Sequence, residues 1–386
     1  MNGQLTFLRE RGFDITVIAA PSESLDIVRE REQVQTIPIP IEREISPLAD
    51  VRTLAKLCGI FRSLRPDIVN AGTPKAGLLG MIAARMTSVP IRLYTLRGLR
   101  LETTSGFKER LLASTERLAA GCAHQVICVG ESLRREYVRR DLTSLDKTVV
   151  LRHGSSNGVN AERFQYSREQ RTRIAQLRAS LNIPADAPVI GFVGRLTRDK
   201  GIVDLHDAFE RLLAEFPELR LVLIGWPEEG DPVPPAIWQR IVEHPQIICT
   251  GAIKDVSLHY GLFDVFVFPS YREGFPNVPM EAAAAGVPVV GYSATGTLDA
   301  VADGETGLLV PPHDSAMLAA ATACYLRNPF LRQRHGEAGR QRVRSDFRRE
   351  DIWNSLADLY RDWLNDRGLP LPNAVTHQTD SLQKAA

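Results

Sequence analysis

The chain has 386 residues, 44% of them hydrophobic and 24% charged, with a formal net charge of +1 at pH 7. That composition excludes an intrinsically disordered chain and a protein that binds polyanions through bulk charge, and the length suits two or three domains of about 150 residues each. No run reaches the roughly 18 apolar residues of a membrane-spanning helix, and no stretch reads as a secretory leader.

The opening MNGQLTFLRERGFDITVIAAP reads as the second half of an amphipathic helix, a stop at Gly12, and a buried strand from Phe13 to Ala20. Further on, helical patterns at Pro47 to Leu64 and Gly77 to Met86 alternate with the strand-like runs DIVNAG, IRLYTLRG and HQVICVGES. Residues 52–140 hold sixteen Lys plus Arg against six Asp plus Glu, a local excess of +10. Such an excess favours an anionic partner, unless the arginines only solvate helix faces. After the hinge-like RHGSSNGVNAERF the rhythm restarts with VIGFVGRL, LRLVLIGWP, QIICTGAI, VFVFPSY and PVVGYSA. Near-continuous apolar strands alternating with helices predict an α/β chain of two doubly wound parallel-sheet domains, each covered on both faces. The expected bounds are 1–155 and 156–348. A C-terminal helix over 349–366 is expected to pack back on the first domain, followed by a disordered tail over 367–386. In that helix Ile352, Leu356, Leu359, Tyr360 and Leu364 fall near one face. The five cysteines (Cys58, Cys122, Cys128, Cys249, Cys324) form no C-x-x-C pair. With four expected in apolar surroundings, they read as reduced core residues rather than a disulfide framework or zinc site.

In doubly wound sheets ligands bind beyond the carboxyl ends of the strands. Two stretches there carry candidate chemistry. In GFVGRLTRDKGI, a buried strand delivers Gly194, Arg195 and Lys200 ahead of a helix starting near Gly201. Glycine allows close approach of a phosphate, a helix N-terminus offers free N–H groups, and the two cations would hold a diphosphate without a metal. The stretch is neither a Walker loop nor a dinucleotide fingerprint, and the chain has no D-x-D pair. Arg and Lys are also common on such loops with no ligand at all. In DVFVFPSYREGFPNVPMEAAAAG, Glu273 falls in the loop after a strand. Pro276 and Pro279 stiffen the turn, and Glu281 is expected in the first turn of the next helix. Glu281 there either complements the helix dipole or accepts from two vicinal hydroxyls of a ribose. Glu273 would bind a sugar ring or steady positive charge at a reacting carbon.

The Glu273–Glu281 spacing resembles the E-x7-E motif of retaining glycosyltransferases with the GT-B fold, most closely the family-4 group that uses nucleotide-diphosphate sugars. GFVGRLTRDKGI is similar to that family's diphosphate clamp, NGVNAERF to its interdomain linker, and DGETGLLVPPHD to the segment after its last nucleotide-domain strands. The resemblance runs from Gly12 to about Leu364. It implies two Rossmann-like domains facing a cleft. In it Arg195 and Lys200 neutralise the leaving diphosphate, Glu281 binds the ribose and Glu273 the transferred sugar. Backbone amides within Gly274 to Asn277, the stretch that also contains Phe275 and Pro276, hold the sugar or its phosphate, with Val278 beside them. Ile253 in GAIKDV frames the nucleobase, and Gly225 and Trp226 line the same pocket, unless Trp226 only packs.

The first domain would hold a glycan or lipid-diphosphate acceptor. Thr73 and Lys75 would lie near an acceptor phosphate, unless Lys75 is simply solvated. Arg97 stands where many relatives carry a histidine, so any imidazole role is in doubt and a phosphate contact takes its place. The implied reaction is retaining and front-face, uses a UDP-linked sugar ahead of a GDP-linked one, and needs no metal or other cofactor. The helix FKERLLASTERLAA suits an anionic membrane surface, which puts the enzyme in the cytoplasm or on the inner membrane face. Nucleic acid is not expected, since the arginines lack interleaved aromatics. The competing expectations are an inactive sugar-nucleotide-binding subunit and a nucleotide-sugar 2-epimerase. Relatives begin with one strand and a glycine-rich loop not seen here, so the first strand of the N-terminal domain is expected to be missing.

Overall fold

The computed structural model describes residues 3–42, 46–155 and 157–372. They divide into two compact units, one of residues up to 95, 118–125 and 353 onward, the other of residues 96–117 and 126–352. Most of the expected tail, from 373, lies outside the described residues.

In the first unit β1 (Thr16–Ala19) pairs in parallel with β2 (Gln35–Pro38), and β3 (Ile68–Gly72) with β4 (Ile91–Leu96). The expected buried strand from Phe13 is shorter and only half-buried. The opening helix, Gln4–Glu10, is capped from a distance. Glu32 is fully buried, and its carboxylate accepts the Gly3 and Thr6 N–H groups at 2.8 and 3.0 Å. Those N–H groups would otherwise be orphans of the first turn. The C-terminal helix, Arg349–Asp366, lays its aromatic face in this unit. Trp353 meets Phe7 edge-on at 5.4 Å, Tyr360 meets Phe13 at 5.8 Å, and the Asn70 amide donates to the Tyr360 hydroxyl at 2.7 Å.

The second unit contains β5 (Gln125–Cys128) paired with β6 (Thr148–Val150), and a six-stranded parallel sheet. Its strands are β7 (Val189–Val193), β8 (Arg220–Ile224), β9 (Ile247–Gly251), β10 (Val265–Phe268), β11 (Val289–Tyr292) and β12 (Gly307–Val310), in the order β12-β11-β10-β7-β8-β9. Strands β7, β10 and β11 are buried along their whole length, as strands covered on both faces must be. Their apolar residues join the large core of this unit, with Phe192, Phe266 and Phe268 stacked through it.

Strands β2, β6 and β12 are not among the expected ones. Each is three or four residues long and, unlike the equally short but fully buried β10 and β11, partly exposed, so no marked apolar run announces it. DGETGLLVPPHD therefore does not follow the last strand but contains it. Two of the cysteines, Cys249 and Cys324, are exposed, so three rather than four are core residues. Among the described residues no helix is long and apolar enough to cross a membrane.

Candidate active site

The strand order of the six-stranded sheet reverses between β7 and its neighbour β10. Loops leaving these two strands diverge, which opens a crevice beyond their carboxyl ends. The first loop runs from Gly194 to Gly201 and enters the helix Ile202–Leu213; the second runs from Pro269 to Pro276 and enters the helix Asn277–Ala284.

Glycine is required where these strand ends close up. Gly225, just after β8, has φ 149°, and a Cβ there would stand 1.8 Å from the Gly194 carbonyl oxygen. The Gly194 N–H donates to Ile224 at 2.9 Å and the Gly225 N–H to Gly251 at 3.0 Å, so three strand ends continue side by side with no side chain between them. Gly201, with φ 70°, presses on the Pro269 carbonyl, which a Cβ would meet at 2.1 Å. Only a residue without Cβ lets the two loops touch here.

The contact joins two charges. The Lys200 ammonium binds the Glu273 carboxylate directly, and each side chain is only about 15% exposed. Charges so far removed from water persist only when paired. Arg195 is more open and binds Glu228 on the loop after β8. The two cations thus hold separate carboxylates rather than sharing a pair.

Glu281 differs from expectation. The helix starts at Asn277, so Glu281 is its fifth residue and lies beyond the first turn. The favourable dipole effect fades there. Its carboxylate instead accepts the hydroxyl of fully buried Tyr260 at 2.9 Å. Burial pushes Glu281 above the usual carboxylate range, with Tyr260 and Arg163 pulling the other way.

The remaining expected residues fall as follows. Gly274 lies against the backbone of Arg97, whose carbonyl oxygen a Cβ would meet at 1.9 Å, while the Arg97 side chain is exposed. Pro276 occupies the position just before the helix and Asn277, its first residue, is exposed. Ile253, Phe275 and Val278 pack, half-buried, on the core of this unit. Trp226 is exposed, so it is not a packing residue, and its carbonyl accepts the Leu196 N–H at 2.8 Å. Thr73 and Lys75 belong to the first unit. Thr73 has φ 70° before the helix Pro74–Met86, and Lys75 is bound to Asp50 at 2.7 Å rather than simply solvated.

Several groups escaped the sequence. Besides Glu228 and Tyr260, the Glu273 N–H donates to the Thr295 carbonyl at 3.0 Å, and the Thr295 hydroxyl donates to Glu102 at 2.6 Å. Burial raises Glu102 above its ordinary range. Gly296, with φ 79°, lets its loop approach the Gly274 carbonyl, and its N–H donates to the Ser132 hydroxyl at 2.8 Å. The acidic pair Glu228–Glu229, after Gly225, Trp226 and Pro227, is a sequence signal for this neighbourhood.

Comparison with known proteins matches residues 4–154 to the glycosyl transferase 4-like domain and residues 173–342 to glycosyl transferases group 1. The chain is 36% identical over 366 residues to the capsular polysaccharide biosynthesis glycosyltransferase CapM of Staphylococcus aureus, covering 95% of this chain and 94% of that one. It is 24% identical over 331 residues to the N,N'-diacetylbacillosaminyl-diphospho-undecaprenol alpha-1,3-N-acetylgalactosaminyltransferase of Campylobacter jejuni, covering 84% and 85%. Anabaena Alr3699/HepE, solved in complex with UDP and glucose, superposes with a TM-score of 0.76 at 19% identity over 93% of this chain and 96% of that one.

Proposed function

Because the chain belongs to the family-4 glycosyltransferases of the GT-B fold, with two Rossmann-like domains, we propose that it moves a sugar with retention from a UDP-linked donor to a glycan or lipid-diphosphate acceptor. The observation that carries the site assignment is the largely buried Lys200–Glu273 pair at the switch point, beside strand ends kept bare by Gly194 and Gly225. A diphosphate entering there offers Lys200 and Arg195 oxygen partners in place of Glu273 and Glu228. Glu273, so released, accepts from the sugar hydroxyls, and Glu281, steadied by Tyr260, accepts from the ribose. As the bond from the anomeric carbon to the diphosphate breaks, the acceptor oxygen bonds to that carbon on the same face and passes its proton to the departing diphosphate. The two cations stabilise the charge that develops on the leaving group, so the step needs no metal.

The UDP preference draws on the UDP and glucose bound by the Anabaena neighbour, and the acceptor class on the capsular polysaccharide and diphospho-undecaprenol named for the two relatives. The helix Gly106–Cys122 exposes Phe107 and Leu111 beside Lys108 and Arg110, a surface suited to an anionic membrane face in the cytoplasm. Incubation with UDP- and GDP-sugars and a lipid extract tests the reading. We expect a UDP-sugar to raise the melting temperature, by about 2.7 kcal/mol of stability at a hundredfold excess over Kd, and to give an α-linked product from an α-linked donor, insensitive to chelator. No stabilisation by any nucleotide sugar and no nucleotide release would overturn it.

Glu281→Ala is expected to raise the donor KM roughly 10–100-fold while kcat changes little, since a hydrogen bond to a charged group contributes about 1.5–3 kcal/mol. Steady-state kinetics with the donor varied give the comparison; an unchanged KM removes Glu281 from the ribose site.

A further inference from the structure

The residues immediately before Lys200 and Glu273 form a second ion pair of opposite sense. The Asp199 carboxylate accepts from the Arg272 guanidinium at 2.5 Å, so 199 and 272 carry minus and plus where 200 and 273 carry plus and minus. Both pairs bridge the same two loops. Asp199 is tied on every side: its N–H donates to the Asp231 carboxylate at 2.7 Å and its carbonyl accepts the Tyr271 N–H at 3.0 Å. The fully buried Ser270 hydroxyl also reaches that carbonyl at 3.4 Å. Arg272 in turn donates through Nε to the Thr103 hydroxyl at 2.8 Å.

We propose that Asp199 and Arg272 are a positioning pair that holds the two loops at the separation where Lys200 meets Glu273, and keeps it when substrate draws Lys200 away. This rests on reading Lys200 and Glu273 as donor-handling groups. The physical case is the division of labour between the two pairs. Lys200 must exchange a carboxylate for phosphate oxygens, so its own pair cannot brace the loops during the reaction. The Asp199–Arg272 pair, with the planar guanidinium held also by Thr103 and the Asp199 backbone by Asp231, does not have to open. It also denies each mobile group the wrong neighbour: Arg272 is occupied and does not compete for Glu273, and Asp199 is occupied and does not compete for Lys200.

The test compares Asp199→Asn, Arg272→Gln, the conservative Arg272→Lys, and the charge-exchanged double variant D199R/R272D. We expect each neutralising variant to lower kcat about 10–100-fold, the scale of a small displacement in an active site. The donor KM should stay within about threefold of wild type. Arg272→Lys should fall between wild type and Arg272→Gln, and the double variant should recover at least tenfold over the weaker single variant. Wild-type kcat in the single variants, equal losses in kcat and KM, or no recovery in the double variant would overturn the proposal. A second readout does not depend on turnover: the Lys200 ammonium resonance in ¹⁵N-lysine-labelled protein, assigned by its loss in Lys200→Arg. It should be protected from exchange in the wild type, unprotected in Asp199→Asn and protected again in the double variant, and unaltered protection in Asp199→Asn refutes the pair's role. Should the wild type neither bind UDP nor turn over a sugar nucleotide, the donor reading fails, and the resonance still decides whether this pair sets the other.

Discussion

Lys200→Ala should lower kcat/KM for the donor by about two to three orders of magnitude and destabilise the second unit at the same time. The catalytic loss follows from removing a preorganised cation aimed at charge that develops on the leaving group, a change that typically costs about 10²–10³ in rate. The stability loss has a different origin. Glu273 is only about 15% exposed and its carboxylate is bound by Lys200; without that partner it is a nearly buried, uncompensated charge. Breaking such a pair from one side costs about 3–5 kcal/mol, less whatever water reaches the carboxylate. The two effects separate in the double variant Lys200→Met with Glu273→Gln. Removing both charges should restore most of the melting temperature, because an apolar or neutral replacement of a buried pair is often tolerated, while turnover stays lost. Thermal melts and donor kinetics on the single and double variants make the comparison. Full turnover by the alanine variant would remove Lys200 from the mechanism, and equal instability of single and double variants would remove the buried-charge argument.

Gly225→Ala should be the most damaging small substitution in the sheet. The added carbon would stand 1.8 Å from the Gly194 carbonyl oxygen and 2.8 Å from the carbon it belongs to, and the glycine has φ 149°. Both obstacles are backbone, so no rotamer change relieves them. The ends of β7 and β8 must part, and with them the hydrogen bond from Gly194 to Ile224. Strain of this kind costs about 1–3 kcal/mol or more, which in a unit of this size lowers the melting temperature by roughly 2–12 °C. Gly230→Ala is the control five residues on: an added carbon there meets nothing within 4 Å and the backbone has no positive φ. A melting temperature for Gly225→Ala equal to that of Gly230→Ala would show that the strand ends are not as close as described.

That contrast also marks how much of the site the sequence discloses. The sequence marks Gly225 as the residue that ends a strand, but only the approach of β7 shows that it has no room for a Cβ while Gly230 has. Arg195, Lys200 and Glu273 stand out because each follows an apolar run that reads as a buried strand, and Glu281 because it falls in the helical stretch after one. Their partners do not stand out. Lys200 and Glu273 are 73 positions apart, and Arg195 and Glu228 are 33 apart. Nothing in either loop names the other. The same holds for Asp199 and Arg272, which a sequence reading passes over as ordinary loop charges.

By itself the sequence determined the local architecture: the apolar runs that became β7, β8, β9, β10 and β11, and the helix over Pro47–Leu64, found with the expected ends. Periodicity and capping act between residues a few positions apart, so they can be read along the chain. Only the tertiary structure decided that Glu281 lies past the first helical turn against Tyr260, that β2, β6 and β12 are strands at all, and that the cations are held by Glu228 and Glu273. Parallel strands are joined by long crossovers, so which strand ends become neighbours is fixed by the order of the sheet, and that order arises from packing the whole unit rather than from any stretch within it.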